Sequence, residues 1–123
     1  MAENAELLSE PTAGVKHDSG KLRMDLVPPE AIKAMADVLT SGAAKYGDRN
    51  WEKGLAYSRA YAATQRHLVD WWSGVDVDHE SGKSPLVHVI TELAFLVTFE
   101  ARGMDAWDDR PKQRTNVGGR WNG

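Results

Sequence analysis

The sequence predicts an all-α protein, a small bundle of about three main helices. Apolar residues recur at helical spacing in three segments, and no stretch shows the strict alternation typical of strands. Proline, serine and glycine mark the ends of these segments. The 123 residues fit one domain, but three short helices give a thin core. We therefore expect a homo-oligomer, a dimer or a dimer of dimers.

The first helix is expected to begin at Pro29, because proline is tolerated at the first helical position. It should fade near Gly42 or stop at Gly47, since glycine commonly ends helices. Its apolar positions are Ile32, Met35, Val38 and Leu39.

The second helix is expected to start after Ser58, a good N-cap, and to end at Gly74. The sequence favours one side of it as the core-facing stripe, made of Tyr61, Gln65, Leu68 and Trp72, with Ala62 and Val69 alongside.

The third helix should start at Ser84 and Pro85, a cap followed by a first-position proline, and should close at Gly103 after Arg102. Its wide apolar stripe consists of Leu86, Val89, Ile90, Leu93, Leu96 and Val97.

These elements divide the chain into three parts. Residues 1–15 read as a flexible tail, residues 16–103 as the all-α domain, and residues 104–123 as an irregular extension with Trp107 and Trp121 as anchors. The chain has no cysteine, which excludes disulfides and thiolate zinc sites. No apolar run approaches the roughly 20 residues that span a bilayer, and no secretion signal is recognisable. We expect a cytoplasmic protein without a membrane partner.

The charge distribution argues against a duplex nucleic acid partner. The net charge is −3, but residues 16–66 carry nine Lys and Arg against six Asp and Glu, and residues 67–103 carry two against six. A duplex DNA binder usually shows a broadly basic face. A basic first half beside an acidic middle fits a local pocket for a small anion better.

The segment KHDSGKLR holds the first candidate group for phosphate binding. Ammonium and guanidinium groups bind phosphate oxygens, and Gly20 lets backbone N–H groups approach an anion. The alternative is a solvated loop with weak surface ion pairs. The pattern is not a Walker A loop. The candidate residues are Lys16, His17, Asp18, Lys21 and Arg23.

The segment KYGDRNW combines cations, aromatic rings and an amide in a loop after the first helix. Aromatic faces stack on bases, asparagine binds a base edge, and cations hold phosphates. In the alternative, Trp51 packs in the core and Arg49 caps helix carbonyls. The candidate residues are Lys45, Tyr46, Arg49, Asn50 and Trp51.

The second helix carries a third group. Arg59 and Arg66 are seven positions apart and so share a face, and His67 and Trp71 are four apart on the adjacent strip. An inward-facing arginine with a histidine would hold a phosphate. The alternative makes Arg66 a surface residue paired with Asp70, and His67 a core histidine with satisfied hydrogen bonds.

The acidic loop after the second helix holds a fourth group. Carboxylates of this kind suit Mg²⁺ or Mn²⁺, although the spacing does not match a calcium loop. The alternative is solvated charge in the loop and a structural His–Glu pair on the third helix. The candidate metal ligands are Asp76, Asp78, Glu80 and Glu92, and His88 is a candidate ligand-binding residue. We expect the cations and rings of all four groups to converge on one anion-accepting cavity.

The motifs K-H-D-x-G-K-x-R-x-D, K-Y-G-x-x-N-W and R-H-L-x-x-W-W-x-G, with LVHVITELAFL and the late DDRP, carry a family resemblance. Over about residues 16–111 the chain resembles the N-terminal domain of phage dATP/dGTP diphosphohydrolases, which also occurs as a stand-alone small phage protein. The resemblance implies nucleotide handling in a phage context on an all-α scaffold similar to MazG-type pyrophosphohydrolases. Those enzymes release pyrophosphate from a nucleoside triphosphate, using Mg²⁺ or Mn²⁺ held by clustered carboxylates.

The helix signature E-E-x-x-E with a later E-x-x-D, which builds that metal cluster, is absent from the sequence. No cysteine and no G-x-S-x-G motif offers a nucleophile. The main hypothesis is therefore a phage nucleotide-binding protein of the host cytoplasm, which holds a purine (deoxy)nucleotide or a nucleotide-derived signal and sequesters it as an anti-defence sponge. The alternative is a Mg²⁺- or Mn²⁺-dependent dATP/dGTP diphosphohydrolase. A helical adaptor protein has the least support.

Overall fold

The structure, a computed structural model, describes residues 12–112. In this part of the chain the main elements are the helices α1 (Pro29–Tyr46), α2 (Tyr57–Trp72) and α3 (Pro85–Ala101). Short 3-10 turns lie at Met24–Leu26, Asn50–Lys53 and Asp105–Trp107. Residues 12–112 contain no strand, so the all-α prediction is confirmed. None of the helices in this range combines the length and the apolar composition of a membrane span.

Helices α2 and α3 form an antiparallel hairpin. The Tyr57 ring lies 6.1 Å from the ring of Phe99 at one end, and the imidazoles of His67 and His88 lie 4.7 Å apart at the other. Helix α1 packs against α3. Lys83 Nζ, just before α3, binds Asp37 Oδ2 of α1 at 3.1 Å. The result is a hairpin with a third helix on one side of it.

The ends of α1 and α3 follow the sequence prediction. Helix α1 begins at Pro29 and ends at Tyr46, with Gly47 as its C-cap. Helix α3 begins at Pro85, and the Ser84 side chain accepts a hydrogen bond from the Leu86 N–H at 3.2 Å. These ends are fixed by proline, serine and glycine in the local sequence.

The expected start of α2 is wrong, because the helix begins at Tyr57 and Ser58 is not its N-cap. The cap comes from a distant residue. Asp109 accepts hydrogen bonds from the backbone N–H and the hydroxyl of Ser58, at 2.8 and 2.5 Å. A carboxylate near a helix N-terminus satisfies otherwise unpaired N–H groups and interacts favourably with the helix dipole.

The core-facing stripe expected on α2 is also wrong. Tyr61, Leu68 and Trp72 are exposed, whereas α2 buries Tyr57, Ala60 and Thr64. Ala60 is small enough to let the helices approach closely. The Thr64 hydroxyl is satisfied by donating to the Ala60 carbonyl at 2.8 Å, so its burial leaves no unpaired polar group.

Residues 104–109 pack onto the same end of the hairpin. The Tyr57 hydroxyl donates to the Met104 carbonyl at 3.4 Å, and the Trp107 indole lies directly over Gly54. The expectation that Trp107 anchors the C-terminal segment is therefore met by a specific contact. Trp121 lies outside the described residues, as do residues 1–11.

Candidate functional site

A cleft of ≈ 890 Å³ opens between the second half of α1 and residues 47–55. Ligand sites in proteins commonly enclose about 300–1,000 Å³ and have mostly apolar walls with a few polar groups. This cleft has that composition. Its apolar walls are formed by Val38, Leu39, Ala43, Leu55 and Phe95.

The second candidate group gathers at this cleft. Tyr46, Arg49, Asn50 and Trp51 all line it. Lys45 stands beside them, with Nζ 5.2 Å from the centre of the Tyr46 ring. Tyr46 is exposed, so much of its ring surface is accessible. One contiguous segment thus brings an aromatic face, an amide and cations to one opening.

The backbone turn after α1 places these side chains. Gly47 has φ 94° and ψ 156°, a conformation available essentially only to glycine. Arg49 follows in the left-handed region at φ 59°, and it is the one non-glycine residue with positive φ among those described. Such a backbone costs energy for a residue with a side chain, and it is often found at functional sites. Here it directs the chain into the Asn50–Lys53 turn.

Glu52 organises the arginines on one side of the cleft. Its carboxylate binds Arg102 at 2.7 Å and Arg49 at 3.0 Å. These hydrogen bonds, the one from Arg102 first, hold the pKa of Glu52 below its ordinary value. Arg59 of α2 also lines the cleft, and Asp48 offsets part of the positive charge. The opening therefore presents arginines within a nearly balanced set of charges.

Trp51 is chiefly a packing residue. Its ring stacks on Phe95 at 4.4 Å between centroids and lies 6.1 Å from Phe99. These contacts agree with the alternative in which Trp51 packs in the core. Trp51 also lines the cleft. Arg49 is held by the Glu52 carboxylate, so its guanidinium does not act as a helix cap.

A second polar cluster lies between α2 and α3. The His67 and His88 rings stack at 4.7 Å, and the Ser81 hydroxyl lies 2.7 Å from His88 Nε2. Because Ser81 Oγ accepts the Lys83 N–H at 3.2 Å, its own hydrogen is free to point at an unprotonated His88 Nε2. Burial, and then the neighbouring His67, lower the pKa of His88. The cluster thus favours a neutral His88.

Glu92 completes this cluster. Its carboxylate lies 3.4 Å from the Thr64 hydroxyl and 4.0 Å from His67 Nε2. Burial raises the pKa of Glu92. His67 Nδ1 is buried without a hydrogen-bond partner in the described structure. The structural pair of His88 with Glu92 expected on the third helix is not formed, because Glu92 faces His67 of α2 and His88 contacts Ser81.

The carboxylates considered as metal ligands are dispersed. Asp76 and Glu80 are exposed, and Asp78 Oδ2 accepts the Ser81 N–H at 2.9 Å. Glu92 faces Thr64 and His67 instead. Within residues 12–112 no three His, Asp or Glu side chains are arranged to hold a metal ion. The carboxylates of this described part of one chain therefore do not fit Mg²⁺ or Mn²⁺, which require several oxygen ligands around one point.

The remaining candidate residues of the first and third groups do not line the cleft. Arg23 is bound by both oxygens of Asp25, at 2.8 and 2.7 Å. Arg66 lies with Asp70 in a separate shallow hollow of ≈ 350 Å³. Trp71 is partly exposed beside Trp72, with ring centres 6.3 Å apart. The other members of the first group are exposed, namely Lys16, His17, Asp18 and Lys21.

The expected single cavity is therefore not formed by the described residues of one chain. Of the candidate cations, Arg49 and Arg59 line the large cleft. Arg66 lines a different hollow, and Lys21 and Arg23 line neither. Leu55 and Ser81 are not among the candidate residues that the sequence indicates. Ser81 follows an aspartate by three positions, a spacing at which a side chain accepts a backbone N–H in a turn. That signal was available in the sequence.

Comparisons with known proteins agree on one family. The family described as dATP/dGTP diphosphohydrolase, N-terminal, matches residues 11–110. A protein of Salmonella phage PMBT28, named dATP/dGTP diphosphohydrolase, is 35% identical over 83 residues. This match covers 68% of the present chain and 28% of the phage protein, so the chain spans under a third of that relative's length. No solved structure matches the chain.

Proposed function

Since the chain belongs to the dATP/dGTP diphosphohydrolase N-terminal domain family, we propose that it binds a purine deoxynucleotide in the cleft between α1 and residues 47–55. The observation that carries this proposal is the cleft itself, ≈ 890 Å³ in volume, with apolar walls and with Tyr46, Asn50 and two arginines at its edge. A nucleotide has matching parts: a flat apolar base with polar edges, and an anionic phosphate chain.

The base enters the apolar part of the cleft. Val38, Leu39 and Leu55 offer a surface for its face, and the exposed Tyr46 ring offers a stacking partner. Base–aromatic stacking is worth about 1–3 kcal/mol. The Asn50 amide carries both a donor and an acceptor, which is what a purine edge requires.

The phosphates lie against the arginines. Arg59 lines the cleft from α2, and Arg49 lines it from the turn. Glu52 binds Arg49 and Arg102 at once, so the side chains of this trio carry one net positive charge. Guanidinium groups bind phosphate oxygens through two hydrogen bonds, and these charge-assisted bonds are stronger than neutral ones.

The role proposed for this binding is sequestration of a purine nucleotide or a nucleotide-derived signal in the cytoplasm of a phage-infected host. Binding without turnover is supported by the dispersal of Asp76, Asp78, Glu80 and Glu92, which leaves one chain without a metal-binding cluster in residues 12–112. A sponge of this kind returns its ligand intact when the protein is unfolded.

The second candidate function is a dATP/dGTP diphosphohydrolase that requires Mg²⁺ or Mn²⁺. The observation that favours it is the 35% identity to the phage PMBT28 protein with that name, although the chain spans only 28% of that protein. Incubation with dATP, dGTP and Mn²⁺ separates the two functions. Release of pyrophosphate that is lost in Asp78→Ala favours the enzyme, whereas full recovery of the triphosphate after tight binding favours the sponge.

Two arginines of α2 provide a matched test of where the nucleotide binds. Arg59 and Arg66 lie seven positions apart and are both exposed, but only Arg59 lines the large cleft. By calorimetry, Arg59→Ala should weaken dATP or dGTP binding about 10- to 100-fold, as expected for a lost charge-assisted contact. Arg66→Ala should leave it unchanged. A loss confined to Arg66→Ala would place the ligand elsewhere.

A further inference from the structure

Within residues 12–112, nothing covers one of the two sides of the α2–α3 hairpin, and we propose that a second copy of this chain docks there to form a two-fold symmetric dimer. The assembly goes beyond the nucleotide binding proposed above and does not depend on it. The uncovered side, called here the open face, is defined by its six exposed apolar residues: Tyr61, Leu68, Trp72, Leu86, Leu93 and Val97.

Helix geometry places these six residues on one side of the hairpin. Successive residues of an α-helix point about 100° apart. On α2, Tyr61 follows the buried Ala60 and Leu68 follows His67, which packs against α3. On α3, Leu93 follows Glu92, which faces α2. Because the two right-handed helices are antiparallel, the position after an inward-facing residue points to the same side on both.

On α3 a polar residue is buried and an apolar residue is exposed, which is the reverse of the usual pattern in a monomeric protein. Thr91, just before Glu92, is 1% exposed although it is polar, and Leu93, just after Glu92, is 46% exposed although it is apolar. Helix α1 packs against α3, whereas the described residues leave the Leu93 side open. Leaving leucine and tryptophan side chains in contact with water costs about 25 cal/mol of free energy for each Å² of apolar surface.

The chemistry of the open face selects a protein as its partner. The helical positions that form it, including Gln65 and Ile90 between the exposed residues, contain no Asp, Glu, Lys or Arg. A nucleic acid or an anionic membrane surface would require cations there. The exposed side chains offer roughly 600 Å² per copy, counting about 200 Å² for a full aromatic side chain. That is near the ~800 Å² that each partner buries in a stable complex.

Two features favour a second copy over another protein. The stripes on α2 and α3 have equal length, since Tyr61 to Trp72 and Leu86 to Val97 each cover the same number of positions. The side chains at the ends of the α2 stripe are larger than those at the ends of the α3 stripe. A two-fold axis parallel to the helices places Tyr61 of one copy opposite Val97 of the other, and Trp72 opposite Leu86. Large side chains opposite small ones pack well, and such a self-complementary face forms closed dimers.

The thin core supports the same assembly. Among the described residues, the buried apolar ones are Tyr57, Ala60, Val89 and Phe99, together with Pro85. Small domains that bury so little of their own apolar surface commonly gain stability by oligomerisation. None of the six open-face residues lines the cleft, so dimerisation and nucleotide binding can be measured separately.

The test compares charged substitutions on and off the open face. Multi-angle light scattering of the full chain at micromolar concentration should give twice the chain mass of 13.6 kDa. Leu93→Glu should reduce the mass to that of one chain. Ile32→Glu is the matched control, because Ile32 on α1 is 53% exposed, similar to Leu93, but lies off the open face. It should leave the dimer intact.

Trp72→Glu provides a second variant, because this residue is 82% exposed at the end of α2, so we expect a charge there to leave the fold of a single chain intact. Circular dichroism confirms the helical content of each variant. If the wild-type protein has the mass of one chain, the proposal is wrong, and the partner of the open face is then a different protein. A mass lowered by Ile32→Glu but by neither open-face variant also overturns it. A larger assembly supports it only if Leu93→Glu and Trp72→Glu reduce its mass.

Discussion

The carboxylate of Asp109 caps helix α2 through Ser58, which lies 51 positions earlier in the chain and donates both its backbone N–H and its hydroxyl. These two hydrogen bonds lower the pKa of Asp109. The contact ties the C-terminal segment to the first turn of α2, next to Arg59 at the cleft. A residue near the end of the described chain therefore helps to position a candidate ligand-binding arginine.

We expect Asp109→Asn to lower the melting temperature at pH 7. The pKa of Asp109 is depressed in the folded protein, so the stability that it contributes is present above its ordinary pKa of 3.8 and is lost as the pH falls through the folded value. The difference between wild type and Asp109→Asn should therefore shrink in acid. A double-mutant cycle with Ser58→Ala checks the contact, since additive effects would contradict it.

Gly54→Ala should destabilise the protein more than Gly74→Ala does. Both glycines have φ close to 100°, which costs a residue with a side chain about 1 kcal/mol. A Cβ at Gly54 would also overlap the Trp107 indole, whereas nothing lies within 4 Å of one at Gly74. Overpacking adds about 1–3 kcal/mol. Urea unfolding measures both variants, and equal losses would show that Trp107 does not press on Gly54.

Glu92→Gln should stabilise the protein at pH 8. Burial raises the pKa of Glu92, so its contribution is most favourable below its ordinary value of 4.5 and is lost as the pH rises through the folded value. Glutamine stays neutral and can still reach the Thr64 hydroxyl, so we expect the variant to unfold at a higher urea concentration than wild type at this pH. Unfolding measured from pH 4 to pH 8 checks this.

The pH profile of Glu92→Gln contains its own control. The pKa of His88 is lowered, so stability from the neutral imidazole is present above 6.5 and is lost as the pH falls below that value. That loss should persist in Glu92→Gln, because His88 is unchanged. A variant less stable than wild type at pH 8 would mean that the Glu92 carboxylate is stabilised by a charge that the contacts do not show.

Trp51→Ala should affect stability more than binding. The ring stacks on Phe95 and lies near Phe99, so its removal leaves a cavity that costs about 3–5 kcal/mol. Trp51→Phe should recover part of this loss, because a ring can still stack there. Calorimetry at a temperature where both variants are folded should give dGTP affinities within a few-fold of wild type. A large loss of affinity in Trp51→Phe would instead make the indole a ligand contact.

The sequence predicted those features that depend on neighbouring residues. Helices α1 and α3 begin where Pro29 and Pro85 stand, and Tyr46, Arg49 and Asn50 meet at the cleft because they lie in one short segment. It did not predict which side of α2 is buried. The apolar spacing of Tyr61, Leu68 and Trp72 fits a core-facing stripe, but tertiary packing selected the adjacent one with Ala60 and Thr64.

Features that join distant segments were beyond local reasoning. The Asp109 cap on α2 has no signal in the sequence around Ser58. The separation of Arg23 and Arg66 from the cleft depends on how the helices are rotated against one another, and spacing along the chain does not set that rotation. Arg23 and Arg66 are therefore cations like Arg49 and Arg59, but they do not lie at the cleft.

Titration of isotope-labelled protein with dATP and dGTP, followed by amide and side-chain NMR, tests most directly that the cleft between α1 and residues 47–55 is the nucleotide site. We expect the largest shifts at Tyr46, Asn50 and Arg59, with Arg66 and Lys21 unaffected. Shifts confined to residues 16–23 or to Arg66, or no shifts with millimolar nucleotide, would contradict the assignment.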